Sequence, residues 1–257
     1  AQGELIDAIW VGDEPTNLVW DATRRRVYVA LGSAHAVAVV DVEARQVVQH
    51  IEAVFDPLAL ALDEAQGRLY VASHRSGQSE LYPYEQRELT TERDIAMIDV
   101  ESLEIERFML EVASTIHAMR WYGAADGAAD GSLWITATTS RPQGPLNDAE
   151  SMSFSHELIE LDLDSGAEEA TGSLSRVDLT RQASSTGATA TLQGFERCGD
   201  SWWVLAEGSN QVVELAPDGS ELRRVEIAGK ARSVSCDDSG VWVWSPNRLT
   251  VTQITPD

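Results

Sequence analysis

Short apolar runs, each four to seven residues long, recur along the whole chain and are broken by Asp, Gly or Asn. One unit runs Asn17-Leu-Val-Trp-Asp-Ala-Thr-Arg-Arg-Arg-Val-Tyr-Val-Ala-Leu-Gly32, then Ala36-Val-Ala-Val-Val-Asp41 and Gln46-Val-Val-Gln-His-Ile51. A second runs Leu58-Ala-Leu-Ala-Leu-Asp63 through Arg68-Leu-Tyr-Val-Ala-Ser73, then Asp94-Ile-Ala-Met-Ile-Asp99 and Glu104-Ile-Glu-Arg-Phe108. Period-two or continuous apolar character bounded by turn residues is the pattern of strands joined by hairpins. No stretch carries the 3.6-residue period of a useful amphipathic helix, so the chain is predicted to be all-β.

Three further units follow. The third uses His117-Ala-Met-Arg-Trp121, Ser132-Leu-Trp-Ile-Thr-Ala137 and Glu157-Leu-Ile-Glu-Leu-Asp162. The fourth uses Gly194-Phe-Glu-Arg-Cys198, Trp202-Trp-Val-Leu-Ala206, Gln211-Val-Val-Glu-Leu215 and Glu221-Leu-Arg-Arg-Val-Glu-Ile227. The fifth uses Arg232-Ser-Val-Ser-Cys236, Val241-Trp-Val-Trp244 and Arg248-Leu-Thr-Val-Thr-Gln-Ile254, and lacks an outer strand. Glu4-Leu-Ile-Asp-Ala-Ile-Trp-Val-Gly12 matches Glu221-Leu-Arg-Arg-Val-Glu-Ile-Ala-Gly229, so the N-terminal segment is expected to complete the last unit and remove a free edge. The expected fold is a single β-propeller domain over 1–257. It has five blades of four antiparallel strands at about 13–52, 53–111, 112–180, 190–228 and 229–257 plus 3–12. A fragment of a larger ring is the competing count.

Val27-Tyr-Val-Ala30 with Val37-Ala-Val-Val-Asp41, and Leu69-Tyr-Val-Ala72 with Ile95-Ala-Met-Ile-Asp99, resemble the YVTN repeat of surface-layer and periplasmic propellers, within the broader YVTN/NHL and WD40-like group. The resemblance covers the first two units closely and the others loosely. It implies fold more than activity, since such propellers include ligand-binding scaffolds, adhesion modules, lyases and lactonases. It also implies that the face with the loop before each innermost strand and the loop between strands two and three holds the site.

Charge narrows the partners. With 42 acidic against 19 basic residues the formal net charge is −23, which repels polyphosphate and anionic headgroups, so no nucleic acid partner is expected. No apolar stretch is long enough to cross a bilayer, so no membrane insertion is expected. No signal peptide is present, and Ala1-Gln2-Gly3 fits a cleaved leader as well as a shortened chain. The remaining partner classes are a small molecule or a protein, with the chain as a monomer in the periplasm or outside the cell. Cys198 and Cys236 fall at matching positions of successive units, which leaves open a disulfide between neighbouring inner strands or two buried thiols.

Candidate chemistry collects at the strand entrances. His35 and His156 are read as lying just before a third strand, His74 as ending a second strand, and His117 and Arg232 as opening innermost strands. Arg75, Asn17, Asp56 and Glu207 are placed on the same face, and only His50 among the five histidines is not. The ligand set is therefore His74, His117, Arg232, Arg75, Asn17 and Glu207. Tyr82 and Tyr84 join it from an insertion at 76–92. A second insertion is expected at 140–155. His35, His74, His117 and His156 are the candidate ligands of a divalent metal ion; the bland alternative is polar rim residues bonded to nearby backbone. Trp134, Trp202 and Trp242 are expected in the core. Turns carry Asp126, Asp130, Asp162 and Asp164. Gly-x-Ser-x-Gly is absent, and adjacent Ser73 and His74 point to opposite faces of a strand. The function expected is a binding or scaffold module. The alternative is a propeller lyase or hydrolase with a metal or histidine site at the channel mouth.

Overall fold

A computed structural model describes residues 5–74, 93–110, 112–113, 115–123, 131–142, 152–161, 163, 173–178, 192–206 and 210–255. Every regular element among them is a strand. The first sheet holds β1 (Pro15–Asp21), β2 (Arg26–Leu31), β3 (Ala36–Asp41) and β4 (Gln46–Glu52) in chain order. The second holds β5 (Pro57–Asp63), β6 (Arg68–Ser73), β7 (Arg93–Asp99) and β8 (Ile105–Leu110). The third holds β9 (Thr115–Tyr122), β10 (Ser132–Pro142), β11 (Met152–Leu161) and β12 (Ser173–Asp178). The fourth holds β13 (Leu192–Cys198), β14 (Ser201–Ala206), β15 (Gln211–Leu215) and β16 (Glu221–Glu226). The last holds β17 (Ser233–Asp237), β18 (Gly240–Ser245) and β19 (Thr250–Ile254). Among the described residues, neighbouring strands within each sheet pair antiparallel. The chain divides into two compact units, the first built on Ala1–Trp121 and the second on Tyr122–Leu163 and Gly172–Asp257.

The aspartates that punctuate the sequence shape the hairpins. Each ends a strand and accepts a backbone N–H three residues on with its own carboxylate: Arg24 to Asp21, Ala44 to Asp41, Gln66 to Asp63 and Ser102 to Asp99, at 2.7–3.1 Å. The following residue takes a positive φ in every case: Arg25 at 54°, Arg45 at 53°, Gly67 at 67° and Leu103 at 61°. Only at Gly67 does the sequence supply the residue best suited to that geometry.

Three turn aspartates, Asp99, Asp218 and Asp237, are held below the usual carboxylate range. The Ser102 backbone N–H, helped by its hydroxyl, holds Asp99 below the usual carboxylate range. Asp237 is lowered by Ser239 and by Trp242 Nε1, and Asp218 by Ser220. A carboxylate whose folded value is depressed stabilises fully above its unfolded value, about 3.9 for Asp, and loses that contribution as pH falls through the folded value. Melting temperatures from pH 5 to pH 2 should fall less steeply below pH 4 in Asp99→Asn than in the parent. Parallel curves would show that the turn contributes no pH dependence.

Cores form where sheets meet within each unit. In unit 1, Tyr28, Ala30, Val37 and Val39 of the first sheet pack with Leu60, Leu69, Val71, Ala96 and Ile98 of the second. Burial pushes the Tyr70 phenol up to about 12 and raises that of Tyr28. In unit 2, Trp203, Leu205 and Val212 pack with Val234, Val241, Val243 and Ile254. Trp134 and Trp202 are buried with ring centroids 4.4 Å apart, beside Tyr122 and Phe195. Trp242 departs from the expected core role. It is half-buried and donates its Nε1–H to Asp237 Oδ2 at 3.0 Å.

Two other expectations change. The 140–155 insertion is in part an extended hairpin, with Ser140, Arg141 and Pro142 paired to Phe154, Ser153 and Met152. The chain from 5 to 12 forms no strand, and the last sheet has three strands among the described residues. Ile9 and Val11 instead pack against Val29, Leu31, Ala38 and Val40 of the first sheet. Val11 O lies 3.1 Å from His50 Nε2.

Candidate functional site

In unit 1, residues at strand entrances form a connected series. His35, at φ 53° in the β2–β3 turn, accepts the Asp56 N–H through Nδ1 at 3.1 Å and stacks on Phe55 at 4.2 Å. Asp56, directly before β5, accepts the His74 N–H on its carbonyl at 2.9 Å. His74 follows β6 and faces His117 of β9, with ring centroids 6.4 Å apart and planes at 66°. His74 Nδ1 is buried with no hydrogen-bond partner among the described residues. Three successive sheets thus bring His35, Asp56, His74 and His117 into sequence at one edge of the unit.

Glu14 joins this edge and was not singled out from the sequence. A Cβ on Gly32 would lie 3.1 Å from Asp56 Oδ1 and 3.5 Å from Glu14 Oε2, so both carboxylates converge over that glycine. Glu14 at φ 52° and Asp56 at φ 48° each precede a proline, a position where backbone sterics favour extended geometry. The repeated pairs Glu14-Pro15 and Asp56-Pro57 were the available signal. Asn17 lies nearby on β1, exposed. Ser73 Oγ donates to Phe55 O at 2.6 Å.

Unit 2 carries the remaining described candidates. Arg232, exposed just before β17, donates its backbone N–H to Trp244 O at 2.8 Å. His156 corrects the expectation of a position before a strand. It lies within β11 opposite Thr138, whose Oγ1 is 3.1 Å from His156 Nδ1, because the β10–β11 hairpin continues past it. Of the four histidines expected to share a metal, His74 and His117 are brought together. Among the described residues no three His, Cys, Asp or Glu side chains cluster as ligands. Arg75, Glu207, Tyr82 and Tyr84, and the turn residues Asp126, Asp130, Asp162 and Asp164, lie outside the described residues.

The cysteines are joined. Cys198 at the end of β13 and Cys236 in β17 form a disulfide with Cα atoms 6.0 Å apart. It lines a cavity of about 440 Å³ together with Trp203, Glu214, Arg223 and Asp237. Arg223 Nε donates to Glu214 Oε2 at 2.9 Å, and its guanidinium lies 5.1 Å from the Trp203 ring centre. No helix among the described residues is long and apolar enough to cross a membrane.

No protein-family description matches the sequence, and no curated protein does. Solved structures match. The β-propeller domain of Cps50 (Swd1) from Myceliophteria thermophila superposes with a TM-score of 0.56 at 11% identity, over 92% of this chain and 63% of that chain. This chain therefore spans less than two thirds of the length of that matched chain. A chain of the nidogen/laminin complex gives a TM-score of 0.58 at 10% identity, over 93% of this chain and 74% of that one. At such identities the likeness bears on fold alone. Taken with the successive four-stranded antiparallel sheets, it supports a β-propeller fold for this chain.

Proposed function

We propose that the chain is a binding or scaffold propeller of the YVTN/NHL type, working outside the cytoplasm, with its ligand site at the strand entrances. The observation that carries this reading is the connected series His35, Asp56, His74 and His117 drawn from three sheets. Side chains distant in sequence that converge at one edge are what a recognition site requires. Arg232, His156, Asn17, Arg75, Glu207, Tyr82 and Tyr84 belong to the same face in this reading. The partner is a small molecule or a protein, and the net charge of −23 disfavours nucleic acid. The Cys198–Cys236 disulfide supports an oxidising compartment, periplasmic or extracellular.

The proposal includes a monomeric five-bladed ring over 1–257 with the blade limits given above, closed by residues 3–12 as the fourth strand of the last blade. Its support is the sequence match of Glu4–Gly12 to Glu221–Gly229.

The test is comparative capture. Immobilised parent protein and the variant His117→Ala/Asn17→Ala are exposed to the same extracytoplasmic extract, and bound proteins and small molecules are quantified by mass spectrometry. A partner enriched at least tenfold on the parent, with variant melting unchanged, supports the reading. Equal retention on both, or no specific retention on the parent, overturns it.

A further inference from the structure

We propose that His74 and His117 together bind one borderline divalent transition-metal ion such as Zn²⁺. This rests on the reading of the strand entrances as the ligand site, and names the chemistry of that site. Two observations carry it. One is the approach of the rings, 6.4 Å between centroids and inclined at 66°. The other is His74 Nδ1, buried without a hydrogen-bond partner among the described residues. A buried imidazole nitrogen with nothing to bond is costly unless a ligand satisfies it.

The separation of the ring centroids leaves room for one ion between them. With a metal–nitrogen distance of about 2.0–2.1 Å the ion sits about 3.2 Å from each ring centre, so two rings on opposite sides of it are separated by about 6.4 Å. A tetrahedral angle needs a separation of about 5.2 Å, which the two side chains reach by closing on each other by about 1 Å. Imidazole nitrogen selects zinc, copper or nickel over calcium and magnesium, which demand oxygen. Water fills the other positions, which makes the site weaker than one with three or four protein ligands. The charge of −23 raises the local concentration of cations without selecting among them.

The backbone fixes one side of the pair. His74 is tethered through its N–H to Asp56 O, and Asp56 is itself tied to His35. His117 is held in β9, where the flanking Ile116 is buried. The backbones that carry the two rings are therefore fixed by strand pairing and by the Asp56 contact.

The experiment titrates the full-length protein with Zn²⁺ by isothermal calorimetry, in parallel with His74→Gln, His117→Gln, the double variant and His50→Gln. Imidazole nitrogen resonances of the parent are followed by NMR during the same titration. The expected result is one site per chain, weakened at least tenfold by either single substitution, absent in the double variant and unchanged in His50→Gln. Two histidines should shift together and saturate at one equivalent, and they should be those missing from the spectra of the single variants. Zinc binding that survives the double substitution, shifts at other histidines, or no stoichiometric binding by the parent overturns the proposal. If His74→Gln fails to fold, His117→Gln and the parent NMR titration decide. Loss of the metal result with histidine-dependent partner capture intact would sink the metal assignment and leave the binding site standing. The reverse pattern would leave a metal site on a surface that captures no partner.

Discussion

Replacing Cys198 and Cys236 together by serine is expected to lower the stability of the second unit by about 3–4 kcal/mol, the loop-closure value for a bridge of this span. The bridge closes a loop of sequence separation 38. It joins the inner strands of two successive sheets, β13 and β17, whose shared core holds Trp203, Leu205, Val212, Val234 and Val243. Without it the unfolded chain gains the freedom the crosslink denies it, while the folded chain loses only one contact. Urea unfolding followed by tryptophan fluorescence suits the measurement. Trp134, Trp202, Trp203, Trp242 and Trp244, five of the eight tryptophans, fall in that unit. The midpoint should drop by about 1–2 M urea, and a reducing agent should reproduce the drop in the parent but not in the variant. Equal midpoints for parent and variant would show that packing alone holds the two sheets.

Trp203→Ala is expected to cost about 3–5 kcal/mol, the range for emptying a buried aromatic site. The ring is 2% exposed and sits at the centre of the β13–β19 core. Its removal also takes away the surface over which the Arg223 guanidinium lies at 5.1 Å. Trp242→Ala, in the neighbouring β18, is the internal comparison. That ring is half-buried and its Nε1 bonds an exposed turn carboxylate, so the loss should be near 1 kcal/mol, mostly the hydrogen bond. Denaturant midpoints at constant m-value rank the two variants. A smaller loss for Trp203→Ala than for Trp242→Ala would refute the core described here.

Much of the strand order was legible because a strand's period is two and its limits are written in turn chemistry. Asp21, Asp41, Asp63 and Asp99 end strands as the sequence predicts, since a carboxylate one turn from a backbone N–H is a local interaction. Ser173–Asp178 was not picked out as a strand, because Ser173-Leu-Ser-Arg-Val-Asp178 has two apolar residues and little contrast. The candidate site was written in the sequence as a set of positions and not as contacts. His74 and His117 were both named, but nothing in their spacing of 43 positions says that their rings approach. Glu14 was missed because one carboxylate before one proline is unremarkable until a second, Asp56, converges on the same glycine.

The sequence by itself determined what local forces decide: an all-β chain, the hairpin turns, the apolar positions that build each sheet, and the net charge. Tertiary structure decided what depends on sheets meeting one another. It joined Cys198 to Cys236, which matching repeat positions left open against free thiols. It drew His156 into a longer hairpin and left Trp242 half-exposed while burying Trp203 one sheet away. It also set two imidazoles from different sheets 6.4 Å apart. Such outcomes turn on which face of one sheet packs on the next, and a period-two pattern carries both faces of a doubly buried strand without saying which neighbour each will meet.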